Sequence, residues 1–170
     1  INLILHDQND FIFAQKFSIN KALIKIFNKE IKQAKNILIN TLKEYEDLIL
    51  KTKDLKNIER ENANILNDLH LNFTKLSLFS EAEKSAILAL KISKIYVSAT
   101  DDFYYAVLGN LGLFYRESLL PEKTINLLKP AINDMISLYG NDFFGLSHIY
   151  INLGSAYMDL ENIKEALEYY

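Results

Sequence analysis

No cysteine occurs in the sequence, which excludes disulfides, thiolate metal sites and cysteine nucleophiles. Glycine and proline are scarce, five and two in 170 residues. An all-β fold would need far more of both to turn its chain, so the long Leu/Ile/Lys/Glu/Asn segments point to an all-α protein. No apolar run approaches the roughly 20 residues that span a bilayer, so no membrane partner is expected. The opening INLIL is too short for the apolar core of a signal peptide and has no basic flank. Because the chain starts at Ile1 and stops at Tyr170 inside an amphipathic pattern, we expect a segment of a longer protein. The working localisation is cytoplasmic, with targeting signals outside the segment.

Catalytic patterns are missing too. His6, His70 and His148 lack the HExxH spacing, and no GxSxG, phosphate loop or dinucleotide fingerprint is present. GNLG at 109–112 lies inside a helical pattern, where it reads as packing. Asp101 and Asp102 are adjacent loop acids without the further oxygen ligands a cation needs. We therefore expect no enzyme activity, no cofactor and no metal in this segment.

The net charge of −3 hides an asymmetry, because residues 1–60 carry 11 basic against 8 acidic side chains and the remainder 8 against 14. The basic residues are spread along helical surface as a solvated face, which argues against nucleic acid. At 49% hydrophobic content the chain has ample material for a core.

What is present is a repeat. NDLHLNF at 67–73, GNLGLFY at 109–115 and INLGSAY at 151–157 superpose at a spacing of 42 residues, aligning Leu69 with Leu111 and Leu153, and Phe73 with Tyr115 and Tyr157. At the same spacing Ala82, Thr124 and Ala166 coincide. Helices are expected at about 57–76, 103–117 and 145–159, each followed by a second at about 80–97, 122–139 and from 162 onward. SATDD at 98–102 and GND at 140–142 read as loops, with Gly140 as a helix cap. Pro130 should kink the helix that contains it, since its ring removes one hydrogen bond and clashes with the preceding turn. Upstream, residues 11–27 and 30–51 have the spacing of two amphipathic helices, a degenerate hairpin over 1–56 ahead of an array over 57–170. Ala34 is a candidate for the part of Ala82, although the 48 residues between them break the period.

These residues resemble the tetratricopeptide repeat, whose first helix carries Leu-Gly-x-x-Tyr and whose second places a small residue where the two helices cross. The 42-residue spacing resembles the kinesin light chain subtype, and so does the run ALKISKIYVSATDDFYYAVLGNL at 89–111. The resemblance implies an α-solenoid of helical hairpins that binds protein or peptide. Gly112 and Gly154 would allow close helix packing. His70 stands at that position in the first repeat, as a packed structural residue rather than a ligand.

Counted at ~100° per residue, Leu108, Leu111, Gly112 and Tyr115 share one helix face, whereas Ala106, Asn110, Leu113 and Glu117 share another. By the resemblance the second face lines a concave groove. The groove positions are then Asn64, Asp68, Leu71 and Lys75 in the first repeat, Asn110, Leu113 and Glu117 in the second, and His148, Asn152, Ser155 and Asp159 in the third. An Asn amide offers both donors and an acceptor to an extended peptide backbone. The groove balance of Lys75 against Asp68, Glu117 and Asp159 favours a neutral or basic partner. The basic residues that clamp acidic chaperone tails in some relatives are absent, since the corresponding positions are Asn67, Leu71, Asn110, His148 and Asn152. The expected role is a regulatory or sensor scaffold within a larger protein. The alternative is a structural module that self-associates, for example through Ile163, Ala166, Leu167 and Tyr170 of the last helix.

Overall fold

In a computed structural model, residues 2–52 and 54–170 are described, with side chains from residue 8 onward; His6 and the INLIL side chains lie outside the described residues. The chain divides into two compact units, residues 1–95 and 96–170.

The first unit contains α1 (Asn2–Phe27), α2 (Ile31–Lys51), α3 (Glu61–Lys75) and α4 (Phe79–Ser93), with α1 paired to α2 and α3 to α4. The second contains α5 (Phe103–Glu117), α6 (Pro121–Leu128), α7 (Ala131–Tyr139), α8 (Phe144–Asp159) and α9 (Ile163–Tyr169). There α5 pairs with α6 and α8 with α9, while α8 also lies against α5 and α6. Among the described residues the only β feature is an isolated bridge between Ser98 and Asp101.

All four hairpins turn in the same way. After α1, α3, α5 and α8, one residue takes the left-handed conformation: Lys29 (φ 62°), Ser77 (56°), Leu119 (60°) and Glu161 (58°). The following N–H reaches back five residues, from Glu30 to the Lys25 carbonyl (2.8 Å), Leu78 to Phe73, Leu120 to Tyr115 and Asn162 to Tyr157 (each 2.9 Å). The left-handed residue itself donates three residues back, as Ser77 does to Thr74 (3.0 Å) and Leu119 to Arg116 (3.0 Å). This is the Schellman arrangement, which satisfies carbonyls that the helix end would otherwise leave unpaired. None of the four residues is the glycine usually found there.

The shared turn explains the broken period. Ala34, Ala82, Thr124 and Ala166 each sit four residues after the turn's closing N–H donor and are all fully buried. The connections at 52–60 and 94–102 have equal length, whereas α2 has 21 residues and α4 has 15. The six additional residues thus lengthen the second helix of the first hairpin and leave its turn unchanged.

Three boundaries differ from the sequence expectation. The first repeat's leading helix starts at Glu61 because Asp54 accepts the Lys56 N–H (3.0 Å) and closes a separate 3-10 turn at Leu55–Asn57. Gln8 of α1 pins that connection, donating to the Asn57 carbonyl and accepting the Glu59 N–H at 3.2 Å. Likewise α4 ends at Ser93, followed by a 3-10 turn at Lys94–Tyr96. At Pro130 the helix breaks outright into α6 and α7, as loss of the N–H and the ring clash require. Gly140 ends α7 at φ 86°, a conformation open to glycine at no steric cost.

Candidate peptide-binding face and pocket

Helix α5 has the two faces that its residue spacing implies. Leu108, Leu111, Gly112 and Tyr115 are buried, whereas Asn110 and Leu113 are half-buried and Ala106 and Glu117 exposed. On α8, His148 and Asp159 are exposed and Ser155 is half-buried. Asn152 is different. It is only 3% exposed, and its Nδ2 has no partner among the described residues. It therefore does not offer a surface amide beside Asn110. Ser155 shares a 3.0 Å hydrogen bond with the Tyr170 hydroxyl.

The candidate positions of the first unit are partly committed to their own surroundings. Asn64 accepts from Arg60 (3.0 Å) and donates to Glu61 (2.5 Å). Lys16 of α1 meets Glu61 at 2.6 Å and, chiefly through that hydrogen bond, holds its carboxyl below the ordinary range. Asp68 is shifted the other way, first by burial and then by the charge of Glu61. Leu71 and Lys75 are exposed.

His70 is structural. It is buried, with Nδ1 3.0 Å from the Ala82 carbonyl. The next repeat reverses the polarity of this bridge, because there Thr124 on the second helix donates to the Gly112 carbonyl at 2.9 Å. Both cross-links join the two residues that mark the helix crossing.

At the leading ends of α5 and α8 lies a feature that the repeat pattern did not reveal. A pocket of about 330 Å³ is lined by Asp102, Tyr105, Ala106, Met135, Phe143, Phe144, Gly145 and His148. Its lining includes the fully buried Met135 of α7, the helix that begins after the break at Pro130. Tyr139 of α7 stacks on Phe143 (ring centres 4.4 Å) and meets Tyr105 edge-on (5.9 Å). Its hydroxyl lies 2.7 Å from the Ser98 carbonyl and 3.0 Å from that of Asp101, which ties down the loop. A Cβ at 145 would stand 2.4 Å from the Phe143 ring, so glycine there lets the ring keep its place against Tyr139. Similarly, a Cβ on Gly109 would come 2.7 Å from His148 Nδ1, so Gly109 lets that imidazole lie against α5. The paired aromatics and glycine of FFG at 143–145 were the available sequence signal.

Burial is the main cause that raises the Tyr105 phenol to about 12, followed by the charge of Asp134. Tyr139 is raised by burial and then by Asp102 and Asp101. Among the described residues no group of three His, Cys, Asp or Glu could hold a metal, and no helix is long and apolar enough to cross a membrane.

Comparison with known structures agrees with this architecture. The chain superposes with a TM-score of 0.60 on the crystal structure of nearly identical TPR-like repeats from a Podospora anserina protein described as a kinesin light chain, at 13% identity, covering 99% of this chain and 88% of the other. The fold is an all-α, tetratricopeptide-like helical repeat of the solenoid class. No family profile matches the sequence. No curated protein matches it either.

Proposed function

We propose that the chain is a protein-interaction scaffold without catalytic activity of its own, and that the exposed face of α5 and α8 binds an extended peptide segment. The pocket of about 330 Å³ carries this reading, because its lining includes Ala106 and His148, two residues of the helix face assigned to the groove. Beyond it on α5 Asn110 and Leu113 are half-buried on the same helix face. Strand-like peptides use such surfaces through backbone hydrogen bonds and side-chain pockets. A neutral or basic partner suits Glu117 and Asp159, both exposed. A cytoplasmic regulatory or sensor role within a larger protein belongs to the same proposal.

The test is selection of binders from a random peptide library displayed against the chain, followed by titration against Asn110→Ala and Leu113→Ser at matched helicity. Loss of one backbone-directed amide should weaken binding about 2- to 10-fold, the equivalent of roughly 0.5–1.5 kcal/mol. Unchanged affinity in both variants would place binding elsewhere and overturn the groove reading. A second reading, self-association, is favoured by exposed apolar residues on α1 (Phe13, Phe17, Ile24, Phe27) and on α9 (Ile163, Leu167).

A further inference from the structure

The pocket at the leading ends of α5 and α8 combines aromatic walls with an uncompensated negative charge. Tyr105, Phe143 and Phe144 contribute rings, and Asp102 contributes a carboxylate. Among the described residues that carboxylate has neither an ion pair nor a hydrogen bond, and Asp102 is exposed. Phe144 is 87% exposed, so its ring is open to a ligand at the mouth of the pocket. No Lys or Arg lines the cavity.

The rest of this unit shows what is missing. Lys123 sits over the Tyr115 ring at 4.8 Å, and Lys129 over Tyr157 at 5.8 Å, where it also donates to the phenol oxygen at 3.2 Å. Among the described residues no cation covers Tyr105, Phe143 or Phe144. Asp101 and Asp134 add to the negative field there, as their effects on Tyr139 and Tyr105 show. Aromatic faces attract cations, and a carboxylate beside them adds a charge-assisted hydrogen bond. The volume is at the lower end of the ~300–1,000 Å³ range of ligand pockets, suited to one side chain rather than a large cofactor.

We propose that this pocket receives an arginine side chain of a partner peptide, its flat guanidinium against Phe143 and Phe144 and its N–H groups on Asp102. Arginine suits the site better than lysine because the planar group both stacks and forks towards a carboxylate. The proposal rests on the peptide-binding reading above and names the side chain that would anchor such a peptide.

The experiment is a nuclear magnetic resonance titration of the isotope-labelled 170-residue chain with N-acetyl-arginine methylamide and its neutral isostere N-acetyl-citrulline methylamide. The arginine compound should shift the Ala106, Gly145 and His148 amides saturably, and the citrulline compound should bind about tenfold more weakly. Asp102→Asn keeps the side chain's size and removes the charge, and no side-chain cap of α5 is lost because the carboxylate makes none; it and Phe144→Ala should each lower arginine affinity about fivefold with unchanged helicity. Equal binding of the two compounds, absence of saturation, or an unaffected Asp102→Asn variant would overturn the proposal. A third arm uses extended peptides without basic residues. If they shift Asn110, Leu113 and Ser155 while the arginine compound leaves the pocket unshifted, the groove reading stands and the pocket proposal fails. If the arginine compound saturates the pocket and no extended peptide, with or without arginine, shifts Asn110, Leu113 and Ser155, the cation site stands and the groove reading fails.

Discussion

Gly112 on α5 and Leu128 on α6 fit one another as hole and knob: a Cβ on the glycine would lie 2.6–2.9 Å from three atoms of the fully buried leucine side chain. In the third repeat Tyr170, just past α9 and 67% exposed, lies 3.0 Å from where a Cβ of Gly154 would be. In each case the facing residue follows the glycine by sixteen positions. The same step leads from His70 to Ala86 and from Ala22 to Leu38, all buried. Where the first helix carries a large residue the second carries a small one. At these four sequence-equivalent pairs one member is small and the other large.

Gly112→Ala should therefore destabilise the protein, although alanine is the better helix former by ~1 kcal/mol. Overpacking against Leu128 costs about 1–3 kcal/mol, which exceeds that gain. Leu128→Ala alone should cost about 2–5 kcal/mol through the cavity it leaves. Combined, the two changes should cost less than their sum, since each relieves the fault of the other. Urea midpoints of the four proteins measure the coupling, and strict additivity would mean that the two side chains do not compete for one space.

This complementarity shows how far the sequence could be read. Gly112 and Gly154 announced the crossing, because a mid-helix glycine needs a packing reason. Ala22 did not, since alanine in a helix calls for no explanation and its neighbours Lys21 and Lys25 replace the Leu and aromatic positions of the later repeats. The twelve-residue step from Ala22 to Ala34, shared with Gly112 and Thr124, was the available clue. Among the site residues, helical spacing put Asn110 and Leu111 on different faces of α5, and the first is half-buried and the second buried. It could not foresee that Asn152, at the equivalent place on α8, is buried, because the neighbours that cover it come from packing between helices. The aromatic pocket was hidden for the same reason: its lining is drawn from α5, α7 and α8 together.

Leu119 offers a test of the turn. It holds φ 60° with its side chain 87% exposed, so a leucine occupies a backbone conformation suited to glycine and gains almost no burial in return. Leu119→Gly should raise stability by up to about 1 kcal/mol, the relief of the left-handed strain less the greater freedom of glycine in the unfolded chain. A higher melting temperature with an unchanged helical spectrum is the expected result. A fall of similar size would show that the Leu119 side chain makes a contact worth more than the strain.

Tyr45 ties stability to alkaline pH. It is fully buried in the first unit, meets Phe11 edge-on at 5.1 Å, and its hydroxyl has no partner among the described residues. Burial first, then the charges of Glu61 and Glu44, push its phenol well above the ordinary value of 10.0. Once the pH passes about 10 the unfolded chain releases this proton while the folded chain retains it, so stability present below that pH should fall as pH rises. Tyr105, pushed up to about 12, adds the same slope in the second unit. Tyr45→Phe should leave neutral-pH stability unchanged or raise it by about 1 kcal/mol, since it removes an orphaned donor and keeps the ring. It should also flatten, without abolishing, the alkaline decline in urea midpoint. A loss of more than about 1 kcal/mol at neutral pH would reveal a hydrogen bond to the Tyr45 hydroxyl.

Self-association should depend on α1 more than on α9. Phe13, Phe17, Ile24 and Phe27 are 73%, 63%, 60% and 86% exposed, at spacings that place them along one side of α1 opposite the buried Ile12, Ile19 and Ala22. On α9, Ile163 and Leu167 are 58% and 69% exposed, and Tyr170 just beyond is 67% exposed, a shorter stripe with fewer aromatic carbons. Covering apolar surface contributes about 25 cal/mol per Å², so the longer aromatic stripe on α1 has more to gain from association. Sedimentation velocity over a range of concentrations should show association that Phe13→Ser with Phe17→Ser reduces strongly and Ile163→Lys with Leu167→Lys reduces weakly. The reverse order would place the contact on α9. A wild-type chain that stays monomeric at the highest concentration would count against self-association altogether and strengthen the peptide-binding reading by comparison.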